Sequence, residues 1–137
     1  MKVSIRHGRL IDPVAGTDRE EDLHIADGRI VARGAAPAGF EAERTIDAAG
    51  MWVLPGLVDL AARLREPGHE YMATLDTELD AALAGGITAL CCPPDTDPPL
   101  DEPGLVEMLK HRARLLDGVR LYPLGALSVG LRGEVIT

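Results

Sequence analysis

The sequence predicts an α/β protein in which a small all-β unit precedes the first strands and helices of a parallel sheet. Residues 1–51 carry short alternating apolar runs and turn residues without a helical repeat, which is typical of β-strands. From Trp52 onward, apolar strand-like runs alternate with helix-like segments over short connections. That alternation is typical of right-handed βαβ units around a parallel sheet. We therefore expect one domain over residues 1–51 and a second over residues 52–137.

The first domain is predicted to contain several short strands. Residues 3–11 alternate between apolar and polar side chains and turn at His7-Gly8. Asp27-Gly28 separates two apolar runs, and this dipeptide favours a type I′ hairpin because both of its residues tolerate a positive φ. Residues 45–48 are expected to form one further strand. Alone, a unit of this size buries little apolar surface.

The second domain is predicted to alternate strands and helices. Continuous apolar runs predict strands, and apolar residues spaced three or four apart predict helices. Gly85-Gly86 and Gly118 are expected to end the two helices, and Asp101 is the expected N-cap of the second, with Pro103 in its first turn. The expected elements are a strand over 53–61, a helix over 70–84, a strand over 87–92, a helix over 102–116 and a strand over 119–126.

The second domain is too short to close a barrel of alternating strands and helices. A (β/α)8 barrel, or TIM barrel, needs roughly 250 residues and eight strands. Three parallel strands alone leave open edges and an uncovered face. We therefore expect this chain to be the N-terminal part of a longer polypeptide; the alternative is a small binding domain that folds alone and unfolds cooperatively.

The composition narrows the classes of partner. Apolar residues make up 46% of the chain and charged residues 26%, which is typical of a folded protein. The net charge of -8 argues against a nucleic-acid surface or an anionic membrane as partner. The N-terminal residues alternate instead of opening an apolar signal segment, and no apolar run is long enough to span a bilayer.

The two cysteines, Cys91 and Cys92, are adjacent in a predicted strand. Neighbouring side chains on a strand point to opposite faces, so these two are poorly placed to form a disulfide or to share a metal. We expect reduced, buried thiols and a cytoplasmic protein.

Several short segments match, in order and spacing, the pattern of one enzyme family. They are Asp27–Ile30, Ile46–Gly50, Val53–Asp59, Leu64–Gly68, Ala84–Thr88, Pro94–Pro98 and Tyr122–Leu127. Together they resemble the dihydroorotases of the amidohydrolase superfamily, over essentially the whole chain. The resemblance implies an N-terminal β-sandwich portion followed by about the first three βα units of a TIM barrel.

The resemblance also implies a chemistry, which is the reversible hydrolysis of the cyclic amide of dihydroorotate to carbamoyl aspartate. In the family pattern, Asp-x-His-x-His-Leu-Arg-Glu-Pro-Gly, the two histidines ligate zinc, and the metal activates water and polarises the carbonyl. Here these positions hold Ala61 and Arg63. Alanine has no donor atom, and the arginine guanidinium is a permanent cation that repels a metal ion.

We therefore expect no zinc at this position and assign no catalytic residue in this chain. Arg63 is expected to occupy the space that zinc would fill. The four histidines do not restore the metal site, since they are scattered along the sequence at His7, His24, His69 and His111.

Two further positions carry the family's substrate-binding pattern in altered form. By resemblance, Arg65 matches the arginine that pairs with the substrate carboxylate, whereas Asp95 replaces an asparagine that also contacts it. A carboxylate facing a carboxylate opposes binding, so the resemblance implies a vestigial substrate site. The alternative is that Arg65 to Gly68 only shape the loop and that Asp95 and Asp97 only form turns.

The departures from the pattern resemble those of zinc-free dihydroorotase-like chains that are structurally required by aspartate carbamoyltransferase. The resemblance thus implies a non-catalytic partner of that enzyme in pyrimidine biosynthesis, and leaves a homo-oligomer open. The alternative is an active amidohydrolase, a dihydroorotase or another cyclic amide hydrolase, with a rearranged metal site whose ligands come from later strands.

Overall fold

The computed structural model describes residues 1–116 and 118–137, which form two compact units. The first unit spans Met1–Pro55 and the second spans Gly56–Thr137. The division therefore falls a few residues after the one expected from the sequence at 51 and 52. The difference arises because Trp52 and Val53 pair with Arg9 and Leu10 in the first unit.

The first unit consists of two small sheets. Its strands are β1 (Lys2–Arg6), β2 (Arg9–Asp12), β3 (Thr17–Glu20), β4 (Leu23–Ala26), β5 (Arg29–Arg33), β6 (Arg44–Asp47) and β7 (Trp52–Val53). One sheet has the order β5-β4-β1-β6 and the other the order β3-β2-β7. The first unit buries Val3, Leu10, Leu23 and Ala48.

A polar group also belongs to the interior of the first unit. The ring of His24 is buried, and its Nδ1 lies 2.9 Å from the Ser4 hydroxyl oxygen. Its Nε2 lies 2.9 Å from the carbonyl oxygen of Gly34. Both ring nitrogens are thus satisfied within the protein, as a buried polar group requires.

The predicted hairpin is confirmed. Strands β4 and β5 are antiparallel, and the connecting residues Asp27 and Gly28 have φ angles of 51° and 72°. Two successive positive φ angles are those of a type I′ turn, whose twist matches that of the flanking strands.

The second unit alternates strands and helices, as the sequence predicts. Its elements are β8 (Leu57–Asp59), α1 (Leu75–Ala84), β9 (Ile87–Cys92), α2 (Pro103–Leu116), β10 (Arg120–Pro123) and a short 3₁₀ turn (Val129–Leu131). The sheet has the order β10-β9-β8 with parallel pairing throughout. The alternation places the helices between successive parallel strands, as in an α/β barrel.

The core of the second unit lies between its sheet and its helices. The buried apolar side chains are Leu64, Leu75, Leu79, Leu90, Cys92, Leu100, Leu109, Ala113, Val119 and Leu121. Leu75, Leu90 and Leu109 are at most 1% exposed, so α1, β9 and α2 each contribute a fully buried leucine. No helix in the described part of the chain is long and apolar enough to cross a membrane.

Two predicted elements of the second domain have wrong boundaries. The single strand expected over 53–61 is two strands, because Val53 pairs in the first unit whereas Leu57 pairs with Ile87 in the second. The first helix begins at Leu75 instead of residue 70. Thr74 is its N-cap residue, and the Thr74 N–H donates to the Thr77 hydroxyl at 3.1 Å. Residues 70–73 belong to the preceding loop.

The expected N-cap of the second helix is also wrong. Helix α2 begins at Pro103, so Glu102 and not Asp101 is the residue before it. The Asp101 carboxylate instead accepts a hydrogen bond from the Gly130 N–H at 2.7 Å. It therefore fixes the 3₁₀ turn.

We expect Gly28→Ala to lower the free energy of unfolding by about 1 kcal/mol, because alanine is strained at a positive φ. Urea denaturation of the intact protein measures the change. Gly104→Ala in α2 is the matched control. A Cβ there meets no atom within 4 Å, and alanine is the better helix former, so its stability should not fall. Equal losses in both variants would contradict the assignment of strain to the turn.

Candidate functional site

The sequence-predicted site residues lie on two loops that follow the carboxyl ends of β8 and β9. The first loop comprises residues 60–74 and the second loop comprises residues 93–102. In folds built from parallel strands, this end of the sheet is where ligand-binding and catalytic residues are placed. The two loops therefore hold the position at which a functional site is expected.

The two loops lie directly against each other. The Asp97 N–H of the second loop donates to the Pro67 carbonyl of the first loop at 3.1 Å, and the Ala62 N–H of the first loop donates to the carbonyl of Cys91 in β9 at 2.9 Å. Gly68 has a φ of 97°, and a Cβ at this position would lie 2.2 Å from the Asp97 carbonyl oxygen. Only glycine permits this approach, so the Glu-Pro-Gly segment is shaped by its contact with the second loop.

A cavity of about 230 Å³ lies between these loops. Its lining combines two cationic side chains, one carboxylate, one imidazole and one thiol with smaller groups. The lining residues are Arg63, Leu64, Arg65, His69, Cys92, Pro93, Asp95 and Thr96. The structure thus brings together Arg63, Arg65 and Asp95, which the sequence analysis singled out from separate segments.

Arg63 and Asp95 form an ion pair at this cavity. The Arg63 Nε donates to the Asp95 Oδ2 at 2.7 Å. The side chains are 55% and 42% exposed, so the pair lies at the mouth of the cavity in contact with solvent. The two positions that depart from the family pattern with opposite charges therefore neutralise each other.

Arg65 lies deeper in the same cavity. Its side chain is half-buried, and within residues 1–116 and 118–137 its guanidinium has no ion pair or hydrogen bond. The residue has a φ of 64°, which is rare for a side chain of this size, and its carbonyl accepts the His69 N–H at 2.8 Å. The His69 ring packs edge-on against Tyr71 with centroids 6.1 Å apart. The turn at Arg65 thus directs both Arg65 and His69 towards the cavity.

The residues present do not fit a zinc ion. Ala61 is exposed, does not line the cavity, and donates its N–H to the Asp59 carboxylate at 2.9 Å. Arg63 offers only donors, and these face a carboxylate. In the described part of the chain, no three His, Cys, Asp or Glu side chains are placed to hold a metal ion together.

The other histidines do not line the cavity. His7 pairs with Asp47 at 3.0 Å in the first unit, His24 is buried there, and His111 is exposed on α2. Of the four histidines, only His69 contributes to the candidate site.

Glu66 is a structural centre of this region that the sequence analysis missed. Its carboxylate is 4% exposed, accepts the Leu75 N–H at 2.8 Å, and forms an ion pair with Arg112. It therefore ties the first loop to the first turn of α1 and to α2. A carboxylate at a helix N-terminus satisfies a backbone donor that lacks an intrahelical partner and interacts favourably with the helix dipole.

The thiol of Cys92 forms part of the cavity floor. Burial raises its pKa above the ordinary value, and the Asp95 carboxylate raises the pKa further, against the opposing effects of a Leu64 backbone hydrogen bond and the Arg63 guanidinium. The thiolate is thus disfavoured at neutral pH, which makes Cys92 a poor nucleophile. Cys91 is only half-buried, and both cysteines are free thiols.

The fold and the placement of this cavity define a class of protein. A β-unit followed by parallel βα units, with polar loops at the carboxyl ends of the strands, is the arrangement of the amidohydrolase superfamily. The structure of the L-hydantoinase (dihydropyrimidinase) from Arthrobacter aurescens is 27% identical to this chain and matches it with a TM-score of 0.72. The match covers 92% of this chain and 28% of the hydantoinase.

The sequence comparison narrows the class to one family. The profile of the family described as "Dihydro-orotase-like" matches residues 50–137. The chain therefore belongs to the dihydroorotase family. A "dihydroorotase-like protein" from Pseudomonas aeruginosa is 50% identical over the whole chain, and a "dihydroorotase" from Syntrophotalea carbinolica is 41% identical over 98% of it. The chain spans about a third of the length of these relatives, 32% and 31% respectively.

We expect Glu66→Ala to lower the free energy of unfolding by about 2 kcal/mol, because it leaves the buried Leu75 N–H without an acceptor. Glu66→Gln keeps an acceptor and loses only the charge, so its effect should be about half as large. Asp80→Ala is the control. Asp80 is exposed on α1, the helix that begins at Leu75, and its substitution should change the free energy of unfolding by less than about 0.5 kcal/mol. Urea denaturation measures all three, and equal effects in the three variants would contradict the assigned role.

We expect Cys91 to react with iodoacetamide faster than Cys92 at neutral pH, because burial both shields the Cys92 thiol and raises its pKa. Mass spectrometry of digested, labelled protein gives the two rates. The Cys91→Ser variant, labelled before and after denaturation in guanidinium, supplies the control: labelling of Cys92 should be slow in the folded protein and rapid in the unfolded one. Equal rates in both states would show that Cys92 is accessible.

Proposed function

We propose that this chain is part of a non-catalytic dihydroorotase-like protein that acts as a structural partner of aspartate carbamoyltransferase. One observation carries the proposal. The first pair of metal-ligand positions in the family pattern holds Ala61 and Arg63, and the Arg63 guanidinium is paired with Asp95 at 2.7 Å. A zinc ion would have to replace this pair without gaining a ligand from either position.

The state of the substrate pocket supports the same conclusion. Arg65 matches the family arginine that pairs with the substrate carboxylate, and it lines the cavity together with Asp95. A substrate carboxylate approaching Arg65 would also face the Asp95 carboxylate, which costs binding energy that an asparagine does not. Arg65 and Asp95 are therefore vestigial substrate-binding residues in this proposal.

The proposed partner rests on the resemblance of the Ala61–Gly68 segment to zinc-free dihydroorotase-like chains that support aspartate carbamoyltransferase. In this role, the dihydroorotase fold is retained for the surface that it presents and not for its active site. Two features maintain that fold without a metal ion: the contacts of Glu66 with α1 and α2, and the close packing of Gly68 against the Asp97 backbone. The role places the protein in pyrimidine biosynthesis in the cytoplasm.

An active amidohydrolase with a rearranged metal site is the second candidate. It is supported by the 41% identity to the relative named dihydroorotase and by the structural match to the hydantoinase. Such an enzyme would take its metal ligands from outside residues 1–137. A His, Lys and Asp cluster at later strand ends would favour this candidate.

We expect the intact purified protein to contain far less than one zinc per chain, to show no hydrolysis of dihydroorotate, and to co-purify with aspartate carbamoyltransferase. Elemental emission analysis, a hydrolysis assay and affinity purification measure these properties. An active dihydroorotase, purified in the same way, is the positive control. Stoichiometric zinc together with hydrolysis would overturn the proposal in favour of the second candidate.

The double variant Ala61→His/Arg63→His tests whether the missing ligands alone explain the loss of metal. We expect it to gain zinc only if the remaining ligands of the family persist on later strands. The variant Ala61→His alone is the matched control, since it leaves the Arg63 cation in place and should bind no zinc.

A further inference from the structure

We propose that Arg63 and Asp95 form a latch that holds the first and second loops together at the mouth of the cavity without a metal ion. The inference goes beyond the proposed function, because it concerns what shapes this cavity and not whether the protein hydrolyses a substrate. Arg63 is in this view a positioning residue that acts through Asp95 on the second loop.

The Arg63–Asp95 pair lies along the contact between the first and second loops. Backbone hydrogen bonds flank the pair. Ala62 of the first loop donates to Cys91 of β9, and Asp97 of the second loop donates to Pro67 of the first loop. In the described part of the chain, the Arg63–Asp95 pair is the ion pair that bridges the two loops. The residues are 32 positions apart, so the pair fastens segments that the local chain does not hold together.

The Asp95 carboxylate pairs with only one of the two arginines that line the cavity. Arg65 lines the same cavity as Asp95, yet the Asp95 carboxylate binds Arg63, through a charge-assisted hydrogen bond of 2.7 Å. While Arg63 holds Asp95 at the mouth, the guanidinium of Arg65 keeps its place in the cavity without an ion-pair partner among the described residues. The pair thereby determines which charges in the cavity are paired, in addition to holding the two loops together at its mouth.

The exposure of the pair makes the latch sensitive to salt. Both side chains are about half exposed, and ions screen an exposed pair efficiently. Opening of the latch should therefore increase with ionic strength. The buried Glu66 carboxylate, which holds the first turn of α1, is shielded from this screening and supplies an internal reference.

Hydrogen-exchange mass spectrometry of the intact protein tests the latch. A peptide that contains the Asp97 amide reports on opening between the two loops, and one that contains the Ala62 amide reports on detachment of the first loop from β9. A peptide that contains the Leu75 amide reports on the Glu66 contact. In the unaltered protein, raising the salt from about 0.05 to about 1 M should accelerate exchange at the two loop amides by about two- to fivefold and leave Leu75 unchanged.

Substitutions distinguish the effect of the latch on the two loops from a general loss of stability. Arg63→Gln and Asp95→Asn should each accelerate hydrogen exchange at the loop amides at low salt, by a factor similar to that of raised salt in the unaltered protein. Each should also abolish the salt dependence of exchange at these amides. The double variant should exchange no faster than either single variant, and the charge reversal Arg63→Asp/Asp95→Arg should restore part of the protection. Arg9→Gln removes an ion pair of similar length and exposure, with Asp18 in the first unit, and should leave exchange at the loop amides unchanged.

The proposal is overturned if the loop amides of the unaltered protein do not respond to salt, or if the two single substitutions have additive effects. The salt titration needs no substitution, so a variant that fails to fold does not prevent the test. The result is also independent of the zinc and hydrolysis assays, because loss of the latch changes exchange at the loops whether or not the intact protein carries a metal.

Discussion

A single buried carboxylate holds the functional end of this chain together. Glu66 accepts the first backbone donor of α1 and pairs with Arg112 of α2, so the loop after β8 is fixed to both helices of the second unit. The remaining geometry depends on this anchor. Gly68, two residues later, lies so close to Asp97 that a side chain would collide with its backbone, and Arg65, one residue earlier, turns towards the cavity. Burying a carboxylate is favourable only when its hydrogen bonds are satisfied, and here both oxygens have a partner.

The candidate site combines a loop segment shaped by its own contacts with a pair of opposite charges beside it. The Arg-Glu-Pro-Gly segment retains the residues that build the loop, since Glu66 and Gly68 make structural contacts that do not involve a metal ion. Ala61 and Arg63 stand where the family pattern described above has its two histidines. Arg63 meets Asp95, so a cation and an anion lie side by side at the mouth of the cavity.

Much of the fold follows from local sequence patterns. The Asp27-Gly28 turn and the strand–helix alternation of the second unit are both found as expected, because turn chemistry and hydrophobic periodicity act over a few residues. The boundaries that were wrong depend on distant partners. Val53 pairs with Leu10 and leaves the strand that its apolar neighbours suggest, and the loop before α1 extends to Thr74 because Glu66 receives the first helical amide at Leu75.

The sequence by itself determined the family, the order of the elements, and the presence of Ala61 and Arg63 in the segment after β8. These properties depend on residue identity and spacing, which are read directly along the chain. The tertiary structure decided which charges meet. Arg63 and Asp95 are 32 residues apart, and Glu66 and Arg112 are 46 residues apart. The first pair forms because the fold brings two loops together, and the second because it brings the first loop against α2. Opposite charges at two altered positions were visible in the sequence, but electrostatic attraction depends on distance, and distance is set by the fold.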